Sequence, residues 1–148
     1  MGNSISVFID TNIFLDYIQH RPIGFNEAMR LFSLSATGDI LLLVSDLSIA
    51  NIKYSTRKDI PLMAFYETIK GIRELFTIVP VGEKAIDRAL ALEPRDFEDA
   101  LQYYSAEQAG ADFIVTRNVK DFDFASTVKT LEPKDFLAKY FPEEHIKG

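Results

Sequence analysis

Two clusters of oxygen-bearing side chains sit where this chain changes character. Asp10-Thr11-Asn12 closes the β-branched run Ile5–Ile9 and opens an apolar-periodic segment. Far along the chain, Asp96, Glu98 and Asp99 open a second periodic segment. After Gly110 this becomes the apolar run Phe113-Ile114-Val115 and then the polar string Thr116-Arg117-Asn118-Val119-Lys120-Asp121. Cys is absent and only 2 His are present, so thiolate and histidine metal sites lack ligands. Acids brought together repel one another, and a divalent cation relieves that repulsion. A hard cation held by oxygens, Mg²⁺ or Mn²⁺, is the chemistry such residues suit.

Each acid also has a purely structural reading. Asp10 can cap a helix through its carboxylate, worth about 1 kcal/mol. Asp96 and Asp99, spaced i and i+3, suit the positive end of a helix. Asp121 reads equally as a solvated loop acid beside Lys120. Asp16, a turn and a half into its helix, has an equal claim as the partner of a surface cation. Asp46 reads as a helix cap. Asn51 is a polar residue in an apolar helix face, where such a residue more often hydrogen-bonds its surroundings than binds a metal.

The elements that would position these groups alternate. Strands are expected at Ile5–Ile9, Ile40–Val44, Phe76–Val79 and Phe113–Val115, all short and mainly apolar, with Thr127–Leu131 a candidate fifth. Helical spacing fills the intervals: after Asp10, from Asn26, after Ser45 or Asp46, from Pro61, from Glu83, from Asp96 and over Pro133–Tyr140. Strands that are apolar throughout and alternate with helices predict a three-layer α/β/α sandwich on a central, mostly parallel twisted sheet of about five strands. Right-handed crossovers then carry every strand's carboxyl end to one edge. Asp10, Ser45 and the 116–121 loop are expected to meet on that rim, where open α/β sheets bind ligands.

The 148 residues fit a single domain, 1–148, with a loose tail after about residue 141. A net charge of −6 argues against a general nucleic-acid coat but leaves a carboxylate-metal nuclease open. No apolar run approaches the roughly 20 residues of a membrane span. MGNSISVFID has no basic region ahead of its apolar part, so a cytoplasmic location is expected.

Asp10-Thr11-Asn12 after its strand, VSDLSIANIKY around Ser45, and DALQYYSAEQAGADFIVTRNVKDF from Asp99 to Phe122 together resemble the signatures of PIN-domain ribonucleases. The group they look most like is the VapC-type toxins of toxin–antitoxin pairs. The resemblance runs from Ile5 to about Phe136. It implies that Asp10, Asp99 and Asp121 are metal ligands, and that Thr11, Asn12, Ser45, Thr116 and Asn118 form the polar surround. Arg117 and Lys120, beside the site, would face RNA phosphate. One departure stands out: Asn51 lies where the family usually has Glu. Asp96, one turn ahead of Asp99, is the acid on hand to supply the missing charge.

The resemblance further implies metal-dependent hydrolysis of RNA, a small antitoxin partner and a homodimer. Phe14, Tyr17, Phe65 and Ile69 could line the antitoxin's groove, although helical apolar stripes usually face inward. The competing reading is a PIN fold with a weakened site that binds RNA or protein without cutting, and Asn51 supports it. A phosphoacceptor receiver domain fits less well, because Pro80 rather than an acid follows the central run at Val79.

Overall fold

The computed structural model describes residues 4–122 and 127–143. The expected tail beyond residue 143, with His145, lies outside them. Five strands, β1 (Ile5–Ile9), β2 (Ile40–Ser45), β3 (Thr77–Val79), β4 (Phe113–Val115) and β5 (Lys129–Leu131), form one sheet in the order β3-β2-β1-β4-β5. Every pairing is parallel. The chain leaves β1 in one direction through β2 and β3, then returns to β1's other side with β4. The strand order therefore reverses between β1 and β4, and the crevice of such a sheet lies at their carboxyl ends.

Alternation within the strands divides the core. Val7 and Ile9 of β1 point to one face with Leu42, Val44 and Val115. That face is covered by α1 (Thr11–Ile18), α2 (Phe25–Ala36), α3 (Asp46–Ser55), α4 (Leu62–Ile72) and α7 (Pro133–Tyr140). Phe8, Leu43 and Ile114 point the other way, against α5 (Gly82–Leu92) and α6 (Phe97–Gln108). Alanines 85, 89, 100 and 106 are fully buried there and let these two helices lie close. This is the α/β/α sandwich that the alternation predicts.

Two differences from expectation have local causes. The stripe from Leu62 to Leu75 breaks at Ile72 into a 3-10 turn, Arg73–Leu75, that feeds β3. β5 begins at Lys129 rather than Thr127, because the Thr127 and Val128 amides donate to the Tyr103 hydroxyl. Phe14 and Phe65 are buried in the core, with Tyr17 and Ile69 packed against it. The inward reading of that stripe is the one the fold adopts. Among the described residues, no helix is long and apolar enough to cross a membrane.

Candidate metal centre at the β1–β4 junction

Asp10 is the N-cap of α1, so the last residue of β1's exit is held by the helix it starts. Its Oδ1 accepts the Ile13 amide at 3.1 Å. The register that pairs Ile9 with Val115 sets the next residues, Asp10 and Thr116, side by side. There the Thr116 hydroxyl donates to Asp10 Oδ2 at 2.6 Å, bridging the crevice. Both residues are buried. Burial pushes the Asp10 carboxyl above its ordinary range. The bonds from Thr116 and Ile13 and the charge of Arg117 pull it back, while Asp16 adds a repulsive charge. Capping and site membership coexist, because each uses a different carboxylate oxygen.

The second cluster rides on the first turn of α6. Asp96 is its N-cap and accepts the Asp99 amide at 3.0 Å through Oδ1. Asp99 lies half-buried on the side facing the rim, and its carboxyl is pushed up to about 7. Burial is the main cause, followed by the negative charges of Asp96, Asp121, Asp10 and Glu98. Asp10, Asp99 and Asp121 thus share one electrostatic neighbourhood, although they come from β1, α6 and the 3-10 turn Val119–Phe122. Asp121 is exposed, and its amide bonds the Asn118 carbonyl at 2.9 Å.

These acids lie near one another without closing a coordination shell. Among the described residues, no group of three or more His, Cys, Asp or Glu side chains stands close enough to hold an ion. The donor chemistry nevertheless fits a hard divalent cation. The set is all oxygen, and its mutual repulsion adds to burial in raising the Asp99 carboxyl.

The remaining candidates divide by exposure. Thr11 and Asn12 are half-buried in the first turn of α1, and Thr11 Oγ1 shares a hydrogen bond of 2.9 Å with Ser48 Oγ. Ser45 is fully buried, and its Oγ accepts the Ser48 amide at 3.0 Å and donates to Gln102 Oε1 at 2.9 Å. Its hydroxyl is therefore committed inside the protein, a correction to the expectation that it joins the polar surround of the site. Arg117 needs the same correction. Its Nε and Nη2 donate to Asp16 Oδ2 and Oδ1 at 2.8 and 3.0 Å, so its fork is taken by a carboxylate. Asp16 itself is fully buried rather than on the surface. Asn118 is exposed, and its amide donates to Thr116 Oγ1 at 3.1 Å.

Asn51 is half-buried in α3, and its Nδ2 is enclosed with no partner in hydrogen-bonding geometry. The acid beside it is Glu98, not Asp96, whose Oδ1 is used as a cap. Burial raises the Glu98 carboxyl, the charges of Asp96 and Asp10 raise it further, and the Asn51 side chain draws it back. Sequence reasoning named Glu98 but gave it no role; its place at the second position of α6 was the available signal. Gln102 and Ser48 were also missed. Gln102 Nε2 donates to Ser48 Oγ at 3.0 Å, completing a buried polar chain from α6 through α3 to Thr11 of α1. The spacings Asp99 to Gln102 and Ser45 to Ser48, each i to i+3, were the trace of it.

Comparison with known proteins agrees with this fold. Ribonuclease VapC1 from Aquifex aeolicus (strain VF5) is 25% identical over 143 residues, covering 93% of this chain and 97% of the relative. Among solved structures, a toxin–antitoxin complex from Klebsiella pneumoniae aligns with a TM-score of 0.62 at 24% identity, covering 86% of this chain and 97% of that one. VapBC2 from Rickettsia felis, bound to a DNA fragment from its promoter, aligns with a TM-score of 0.66 at 17% identity over 86% and 98%. A family model for the PIN domain matches residues 6–120. That match takes in Asp10, Thr116 and everything folded between them, and the chain belongs to the PIN-domain family.

Proposed function

We propose that this protein is a metal-dependent endoribonuclease of the VapC type, acting as the toxin of a toxin–antitoxin pair in the cytoplasm. The observation that carries the reading is the set of acids around Asp99, gathered where β1 and β4 part. A named ribonuclease relative and neighbours solved as toxin–antitoxin complexes support it. The whole chain, 1–148, would act as one PIN-like domain, and a homodimer is part of the same proposal.

Asp10, Asp99 and Asp121 would hold Mg²⁺ or Mn²⁺. When bound, the ion would supply charge that acidifies a water and neutralises a phosphate oxygen. Thr116 keeps one oxygen of Asp10 turned across the crevice, and the Ile13 amide fixes the other. That leaves the carboxylate little freedom to reorganise when charge arrives. Asn118 is exposed beside this pair, placed to donate to a phosphate oxygen. With Arg117 committed to Asp16, exposed Lys120 would supply positive charge to the RNA backbone. Thr11 and Asn12 border the same rim.

The test is RNA cleavage with and without Mn²⁺, run beside Asp10→Ala and Asp99→Asn. Cleavage by the parent that depends on the metal and is lost in both variants supports the assignment. Either variant cutting as well as the parent refutes it. The second reading, a PIN fold that binds without cutting, draws on the neutral Asn51, which stands where the family usually has Glu. Calorimetric titration that gives no heat at millimolar Mn²⁺ would favour that reading.

A further inference from the structure

We propose that Asp16 is a positioning residue which, by gripping Arg117, fixes the Thr116–Asp10 contact on which the candidate metal centre is built. The inference rests on the nuclease reading for its consequence, but its structural basis stands separately.

Asp16 is a carboxylate with no exposed surface, in the second turn of α1 among Ile13, Phe14 and Leu15. Burying such a charge is costly unless it is paired and hydrogen-bonded. Three groups from outside α1 surround it. Arg117 reaches it with two parallel N–H bonds, at 2.8 and 3.0 Å. Arg21 Nη1 lies 3.6 Å from Oδ1, and Gln19 in turn accepts from Arg21 Nε at 3.1 Å. Gly24, with φ of +101°, passes so close that any side chain there would overlap the Asp16 carboxylate. Arg117 Nε is 3.4 Å from that same position. The sequence pattern Asp16, Arg21, Gly24 is thus a socket for the Arg117 guanidinium.

Arg117 directly follows Thr116, so the socket fixes the chain just where β4 leaves the sheet. Thr116 is then held from several sides. Its amide donates to the Leu131 carbonyl at 3.0 Å, its hydroxyl donates to Asp10, and the next side chain is anchored in α1. Asp10 is the cap of that same helix. The socket and the Asp10–Thr116 bond therefore tie α1 to β4 at two points about a helical turn and a half apart. Removing a contact one step behind a ligand, as Thr116 is to Asp10, commonly changes metal affinity by about 10- to 100-fold, and the socket acts a step further back, through Thr116.

The experiment uses the full-length protein and two variants, Asp16→Asn and Arg117→Lys. The first keeps shape and removes charge. The second keeps charge but loses the planar fork, and provides a milder case should the first fold poorly. Hydrogen exchange is followed without metal at the amides of Ile13 and Asn118, which report the Asp10 and Thr116 side chains, and at Ser48, which reports the distant Ser45 cap. Exchange accelerated about tenfold or more at Ile13 and Asn118, with Ser48 unchanged, is expected. Mn²⁺ affinity should fall about tenfold. The double variant should be no worse than the worse single one, because both act through one contact. Equal acceleration at all three amides, or unaltered exchange and Mn²⁺ affinity, would overturn the proposal. If the parent neither binds Mn²⁺ nor cuts RNA, the nuclease reading fails, and the exchange pattern still decides the role of Asp16.

Discussion

The Ser45 hydroxyl donates to Gln102 Oε1 at 2.9 Å across 57 residues of sequence, in a place with no access to water. Gln102 returns a hydrogen bond to Ser48, and Ser48 meets Thr11. The helices that carry Asp10, Asn51 and Asp99 are joined beneath the rim by a chain of side chains that comes to its edge at Thr11. Gln102→Leu fills the same space and removes both polar partners. It is expected to lower stability by about 1–3 kcal/mol, since buried hydroxyls would lose their bonds. A fall of roughly 4–10 °C in Tm, followed by circular dichroism, is the expected result. An unaltered Tm would contradict the importance of this chain.

Thr116→Val tests the bond across the crevice with almost no change of shape. The hydroxyl that donates to Asp10 and accepts from Asn118 disappears. Because that bond lowers the Asp10 proton affinity against the effect of burial, its loss should raise the carboxyl further. RNA cleavage should fall by about 10- to 100-fold. The acidic limb of its pH profile should move to higher pH. A profile that keeps its position would separate Thr116 from the ionisation of Asp10.

Asp99 makes stability depend on pH in a defined direction. Its carboxyl titrates at about 7 in the folded protein and near 3.8 when free. Between those values the native state holds a proton that the unfolded chain releases, so stability decreases as pH rises from about 4 to 7. After allowance for solvent screening, the loss should be about 1–2 kcal/mol, a few degrees in Tm. Asp99→Asn should flatten this dependence. Millimolar Mn²⁺ should raise Tm most at pH 8, where the acids are ionised. The same slope in parent and variant would rule out Asp99 as its source.

Asp96 carries two effects of opposite sign that one pair of substitutions separates. Asp96→Ala removes the cap of α6 and should cost about 1 kcal/mol. Asp96→Ser keeps a capping oxygen and removes only the charge. It should leave stability near that of the parent and bring the Asp99 carboxyl down, since the Asp96 charge raises it. Carboxyl-carbon NMR titration reads the second effect directly. An Asp99 titration that stays in place in both variants would remove the Asp96 charge from its causes.

Asn51→Glu places an acid where the resemblance leads one to expect it, beside Glu98 and near Asp10. Without metal the extra charge should lower stability and raise the Glu98 carboxyl. With metal it should tighten Mn²⁺ binding by about tenfold or more, read by calorimetry. Unchanged or weaker binding would mean that Glu98 already fills that corner.

Much of this protein is written locally. Short apolar strands separated by helical stripes were enough for the layered parallel sheet, because the central strands are buried on both faces and most of the covering helices on one. The Asp10 cap could be read from residue type and position, and the cap of α3 narrowed to Ser45 or Asp46, of which the fold uses Ser45, since capping depends only on the three residues that follow. What could not be read was direction and company. Arg117 looks like a phosphate ligand in a polar loop, yet its guanidinium is claimed by Asp16, 101 residues away. Ser45 looks available and is sealed against Gln102, while Glu98, not Asp96, stands beside Asn51. Sequence order fixes which face of a helix a side chain occupies. Only the packing of helices from distant parts of the chain decides whether that face meets water, a carboxylate or another buried hydroxyl.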